Sequence, residues 1–232
     1  MSAIADNLQA VQARISNAAA AVGRSPESVR LLAVSKTWPL ACILDAAEAG
    51  QRAFGENDVQ EGIDKIAAVS GRNLEWHFIG PLQSNKTKPV AEHFDWVHSI
   101  DRLKIAERLS AQRPQNMPDL QVCLQVNVSG EASKSGVSPA EIPALAAAVA
   151  ALPRLRLRGL MCIPEATDDL PRLREQLAVL PQLRAQLAEQ GLALDTLSMG
   201  MSADLELAVA CGSTLVRVGT AIFGGRTPRH PA

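Results

Sequence analysis

The chain has no tyrosine, only 3% aromatic residues and only four cysteines among its 232 residues. No phenol is available in this sequence for proton transfer. The cysteines stand at 42, 123, 162 and 211, and no two of them have metal-ligand spacing, which excludes the zinc-ribbon and zinc-finger classes. Cys123 and Cys162 fall inside apolar strand-like runs and read as small buried hydrophobes, with disulfides out of place in a reducing compartment. Charge of one sign is also missing: the net charge is −1, and no basic stripe alternates with aromatics. Nucleic acid and anionic membrane surfaces therefore lack an electrostatic footprint here. Long hydrophobic runs are absent too. The longest, Ala140 to Leu152, is interrupted by Glu141 and Pro143 and is too short to cross a bilayer. The first residues lack the basic-then-apolar pattern of a signal peptide, so the cytoplasm is the expected location.

What is present is a hydrophobic fraction of 47%, enough for a sizeable core in one domain or at most two. Ile4, Leu8, Val11 and Ile15 recur at helical spacing, so residues 4–22 predict an amphipathic helix. Beyond it, short apolar runs alternate with helical stretches. Strands are expected at 30–36, 53–57, 75–79, 96–100, 121–128, 155–163, 196–199 and 214–218, with helices between them. Asp101 is expected to cap the helix at 101–112, and Ser202 the helix at 203–211. About eight strands alternating with helices indicate a parallel α/β fold, and the length suits a single (β/α)₈ barrel with an extra helix at the front. A doubly wound open sheet is the competitor. It would want a glycine-rich phosphate loop after its first strand, and none follows Lys36. The expected layout is a barrel over residues 1–225 and a polar, Pro-rich, flexible tail over 226–232.

Lys36 ends the first apolar strand, where Thr37, Trp38 and Pro39 turn the chain away. A lysine held at the mouth of a buried element loses hydration of its ammonium and becomes a better nucleophile toward a carbonyl. Two segments near the other end of the sequence suit an anion. Ser202 stands just before a helix, where a hydroxyl and free N–H groups converge. Gly219 and Thr220 follow the last strand, where backbone can approach a ligand closely. These are the loops after strands seven and eight, the usual phosphate position of a barrel. Arg217 shares strand parity with Gly219, so both can face inward. Taken singly, each feature is also an ordinary strand end, cap or turn.

Four strings carry a resemblance: Leu-Leu-Ala-Val-Ser-Lys at 31–36, Phe-Gly-Glu-Asn at 54–57, Trp-His-Phe-Ile-Gly-Pro-Leu-Gln-Ser-Asn-Lys at 76–86 and Arg-Val-Gly-Thr-Ala-Ile-Phe-Gly at 217–224. In this order, over nearly the whole chain, they resemble the bacterial pyridoxal-phosphate homeostasis proteins, a family similar to the amino-terminal barrel domain of alanine racemase. The resemblance implies a barrel of that type binding pyridoxal 5′-phosphate (PLP), with Lys36 holding the cofactor as a Schiff base. It implies that Ser202, Gly219 and Thr220 cradle the phosphate and that Arg217 faces the pyridine nitrogen. Asn57 and His77 would lie around the ring and the lysine, and Met199 against the ring, although Met161 and Met199 read by themselves as core and His77 as a satisfied core histidine. Neither a catalytic residue nor a metal is implied.

The implied role is to hold, buffer and transfer PLP in vitamin B6 homeostasis, as a monomer that passes the cofactor to PLP-dependent apoenzymes. Lys134 is a candidate secondary acceptor. Racemases of the related fold use a tyrosine from a second, β-rich domain, and neither is expected here. A PLP-dependent racemase or related enzyme is the alternative, with His77, Cys162 or a water as substitute base. A further alternative is a barrel binding a phosphorylated sugar or nucleotide, with Lys36 as a plain phosphate contact.

Overall fold

A computed structural model describes residues 2–131 and 135–225. Eight strands, β1 (Arg30–Val34), β2 (Ala53–Glu56), β3 (Glu75–Phe78), β4 (Trp96–Ile100), β5 (Leu120–Gln125), β6 (Leu155–Met161), β7 (Thr196–Ser198) and β8 (Leu215–Val218), pair in sequence order as a closed barrel. Every neighbouring pair is parallel, and β1 closes onto β8 with Leu32 opposite Arg217. The open sheet is thereby excluded. Closure leaves no unpaired edge and buries both faces of each strand, which is why the strands read as apolar runs rather than as alternating patterns.

Helix α1 (Ala3–Ala21) precedes the barrel, capped by the Ser2 hydroxyl, which accepts from the Ala5 N–H. The rest of the helical layer is α2 (Leu40–Glu48), α3 (Val59–Ala68), α4 (Thr87–His93), α5 (Leu103–Gln112), α6 (Ile142–Ala150), α7 (Leu170–Glu189), α8 (Leu205–Ala210) and α9 (Thr220–Phe223). The buried stripe of α1, Leu8, Val11 and Ile15, packs into the main core. Its polar residues tie the loops after β7 and β8 in place. Asn7 donates to the Ile222 carbonyl at 2.9 Å, and Arg14 pairs with Glu206 at 2.7 Å and donates to the Ser202 carbonyl at 3.0 Å.

Local details depart from the expectations at several ends. Asp101 does not cap α5; the cap position is Arg102, whose guanidinium pairs with Asp101 at 2.6 Å. Ser202 does not cap α8, which begins at Leu205 after Asp204; the Asp204 carboxylate instead accepts from the Met201 N–H at 2.7 Å. The single turn of α9 has too few residues to show a period. It is held by burial of Ile222 and Phe223 and by stacking of Phe223 on Trp38 at 5.8 Å. Lys134 and residues 226–232 lie outside the described residues. Among the described residues, no helix is long and apolar enough to cross a membrane.

Candidate functional site

At the carboxyl ends of the strands lies a cavity of about 380 Å³. Six residues singled out from the sequence line it together: Lys36, Asn57, Ser202, Arg217, Gly219 and Thr220. Trp38, Ile79, Pro81, Ile163 and Met201 give it apolar walls. His77 and Met199 are fully buried and are not among its lining residues. Met199 packs in the main core, and Met161 lies inside the barrel beside Trp96 and Cys123.

The lysine is anchored by what surrounds its backbone. Ser35 donates its N–H to the Gly55 carbonyl at 3.0 Å, and its own carbonyl accepts from Trp38 at 3.1 Å and from Lys65 Nζ at 2.8 Å. Thr37 takes a left-handed conformation (φ 69°), unfavourable for a branched residue, and its N–H donates to Glu61 Oε1 at 2.6 Å. Lys65 Nζ also pairs with Glu56 Oε1 at 2.8 Å and Glu61 Oε1 at 2.7 Å, while the Ser35 hydroxyl donates to Glu56 at 2.6 Å. This buried cluster sits behind the strand end and holds the two residues flanking Lys36. Burial pushes the Glu56 carboxyl up, against the opposing pull of Lys65 and Ser35. Nothing in the helical pattern of α3 distinguishes Lys65 from a solvated lysine, so this support was not legible from the sequence.

Arg217, on the neighbouring strand β8, is also part of the lining. Its Nη1 donates to the Ser198 carbonyl at 2.6 Å and to the Ser198 hydroxyl at 2.7 Å, and its Nη2 donates to the Cys162 carbonyl at 2.8 Å. Burial lowers its pKa, yet a guanidinium remains charged in proteins. Gly80 and Gly219 admit close backbone. A Cβ on Gly80 would stand 2.4 Å from the Asn57 carbonyl, and one on Gly219 would stand 3.1 Å from the Val34 carbonyl.

His77 instead faces down the barrel. Its Nε2 lies 2.7 Å from Glu75 Oε1, its Nδ1 lies 2.9 Å from His98 Nε2, and its ring stacks on Trp96 at 5.2 Å. Burial pushes Glu75 up, but the hydrogen bonds to His77 and Arg30 and the Arg30 charge outweigh it and hold the carboxyl at about 2. Burial pushes His77 down despite Glu75, and pushes His98 well down, aided by Arg217.

These shifts set the acid sensitivity. A carboxyl depressed from 4.5 to about 2 contributes stability that is present above pH 4.5 and is lost as pH falls toward 2. With a third of the Glu75 side chain in water, the screened contribution is about 1–2 kcal/mol. Glu75→Gln is expected to cost that much at pH 7 in urea unfolding, with the gap to the parent protein narrowing between pH 4.5 and 3. A constant gap across that range would contradict the assignment.

The residues present suit a phosphorylated aldehyde. An amine stands in the same cavity as a hydroxyl pair, a close-approach glycine and a fixed cationic donor. Known proteins give the same direction. The chain matches the family described as alanine racemase, N-terminal domain, over residues 4–227. It is 60% identical to the pyridoxal phosphate homeostasis protein of Pseudomonas aeruginosa over 100% of both chains. The chain belongs to the pyridoxal phosphate homeostasis protein family. Among solved structures similar to it is PipY of Synechococcus elongatus with PLP bound, at a TM-score of 0.85 and 40% identity, covering 95% of this chain and 100% of PipY. Alanine racemase from Corynebacterium glutamicum shares the fold alone, at a TM-score of 0.73 and 18% identity, with 97% of this chain covering 61% of the racemase.

Proposed function

We propose that this protein binds PLP in the mouth cavity, holds it through a Schiff base on Lys36, and serves intracellular PLP homeostasis by buffering the cofactor and handing it to apoenzymes. The observation that carries the reading is the convergence of Lys36, Ser202, Arg217, Gly219 and Thr220 on one cavity from three distant parts of the sequence. The PLP-bound PipY structure and the homeostasis-protein relatives support it.

Bound there, PLP supplies an aldehyde that condenses reversibly with amines and a ring that withdraws electrons from the carbon attached to such an amine. The chain's own residues do the rest. Lys36 provides the amine. Ser202, Gly219 and Thr220 supply donors to the phosphate from the loops after β7 and β8. Asn57 lines the same cavity. Arg217, a donor that cannot accept, would face the pyridine nitrogen and keep it unprotonated, which would weaken the ring as an electron sink. The protein accordingly acts as a holder rather than a dedicated racemase, working as a cytoplasmic monomer whose open mouth admits an incoming amine.

The test is direct. Protein mixed with PLP is expected to absorb visible light, to bleach with borohydride, and to carry a pyridoxyl group on Lys36 by mass spectrometry. A pyridoxyl group found only on other lysines would overturn the reading of Lys36. Deuterium exchange at the α-carbon of alanine and serine in heavy water is expected to stay below about 1 s⁻¹, the lower end of ordinary enzyme turnover. Faster exchange would make the protein an enzyme.

A further inference from the structure

The barrel interior holds a row of polar side chains that the cavity chemistry does not use. Ser198 Oγ lies 2.7 Å from Arg217 Nη1 and 2.8 Å from His98 Nδ1. His98 Nε2 lies 2.9 Å from His77 Nδ1, and His77 Nε2 lies 2.7 Å from Glu75 Oε1. Glu75 pairs with Arg30 at 2.6 Å and borders a second cavity at the amino-terminal end of the barrel. His77, His98 and Ser198 are each fully buried. From these contacts we infer that Ser198, His98 and His77 are positioning residues for Arg217, forming a one-way hydrogen-bond chain to Glu75 in which both imidazoles are neutral and carry their proton on Nε2.

The direction follows from the two ends. A guanidinium only donates, so Ser198 Oγ accepts from Arg217 and turns its own hydrogen to His98 Nδ1. His98 Nδ1 then accepts, which leaves its proton on Nε2, facing His77 Nδ1. His77 accepts there and presents its Nε2–H to Glu75. An ionised carboxylate only accepts, so the far end demands the same orientation independently. Every link then has one donor and one acceptor.

The rival arrangement puts Nδ1–H on both rings and requires His77 to be an imidazolium against Glu75. It makes Ser198 Oγ accept from both sides, so its hydrogen loses the His98 acceptor. It also places a second cation in the barrel that already contains Arg217. Burial disfavours the imidazolium at both histidines. The groups facing the pair are Glu75, Arg30, Asp95 and Arg217, together with the Trp96 ring.

The consequence concerns the cavity and rests on the proposed role of Arg217 there. Three of the five guanidinium N–H groups are committed to the wall, two of them to Ser198. His98 removes the rotational freedom of the Ser198 hydroxyl and so keeps its lone pairs toward Arg217.

Long-range proton–nitrogen NMR on histidine-labelled protein at pH 7.5 reads the tautomers without any cofactor. Two rings are expected in the Nε2–H form, assigned by their loss in His77→Gln and His98→Gln. Ser198→Ala should return His98 toward a tautomer mixture, which a purely structural role would not do. An imidazolium or an Nδ1–H form at either ring in the parent protein would overturn the chain. In PLP titrations, His98→Leu should weaken binding about tenfold and shift the visible absorbance, the loss expected for one hydrogen bond to a charged group. His98→Gln, whose amide can both accept from Ser198 and donate to His77, should recover most of the affinity. Parent-like affinity in His98→Leu would refute the positioning role. Failure of the parent protein to bind PLP would refute the proposed function, while the tautomers would still decide whether the chain exists.

Discussion

Lys36→Ala is expected to remove the visible absorbance and the borohydride-trapped adduct altogether and to weaken PLP retention by at least about a hundredfold. The covalent link is the only interaction in the proposed site that outlasts dilution; the phosphate and pyridine contacts are exchangeable hydrogen bonds worth about 1–3 kcal/mol each. Fold should survive, because Lys36 lies just beyond the last residue of β1 and its neighbours Ser35 and Thr37 are bonded through backbone and hydroxyl groups that the substitution leaves intact. The measurement is absorbance and retained cofactor after gel filtration, with unfolding monitored in parallel. Lys36→Ala protein that keeps PLP through filtration would show that the phosphate cradle alone holds it, and the Schiff base would lose its place in the proposal.

Lys65→Ala is the largest expected effect on stability. Its ammonium is the partner of Glu56, whose side chain is fully buried, and it also fastens Ser35 and Glu61. Glu56 Oε2 already has no hydrogen-bond partner among the described residues. Taking away the cation leaves a buried carboxylate with the Ser35 hydroxyl alone, a change that costs about 3–5 kcal/mol. For a chain of this size that lowers Tm by roughly 10 °C.

The pH dependence has a definite sign. A carboxyl whose folded pKa is raised binds its proton more tightly folded than unfolded, so stability falls as pH rises from about 4.5 through the folded value. The deficit of Lys65→Ala should therefore grow between pH 5 and pH 8, and adding Glu56→Gln should recover part of it. A Lys65→Ala protein within about 1 kcal/mol of the parent at pH 8 would refute the buried-pair account. The same variant should bind PLP more weakly, since the strand end that presents Lys36 loses one of its ties.

The two predictions differ in how far the sequence anticipated them. Lys36 stood out because an apolar run ending in a cation is visible along the chain, and Arg217 and Gly219 could be placed on one face by period-two counting. Lys65 could not, because its importance depends on a carboxylate nine residues earlier, at the end of β2, being fully buried. His77 shows the same limit. Its motif pointed to the ring and the lysine, whereas the structure turns it down the barrel toward Glu75 and His98. Ser202 lines the cavity, but not as a helix cap, since α8 starts three residues later and Asp204 takes the cap position.

The alternation of eight strands with helices and six of the residues bordering the mouth were thus determined by the sequence itself. Hydrophobic runs separated by helical periods admit few parallel arrangements, and each strand end marks its own position in the series. Which buried charges are paired, which way the imidazoles point, and how Arg217 is held were decided only by the tertiary structure. The longest-range of them crosses the closed barrel, joining His98 on β4 to Ser198 on β7, one hundred positions apart. Nothing local to either residue records the meeting; it follows from the radius and register at which eight strands close.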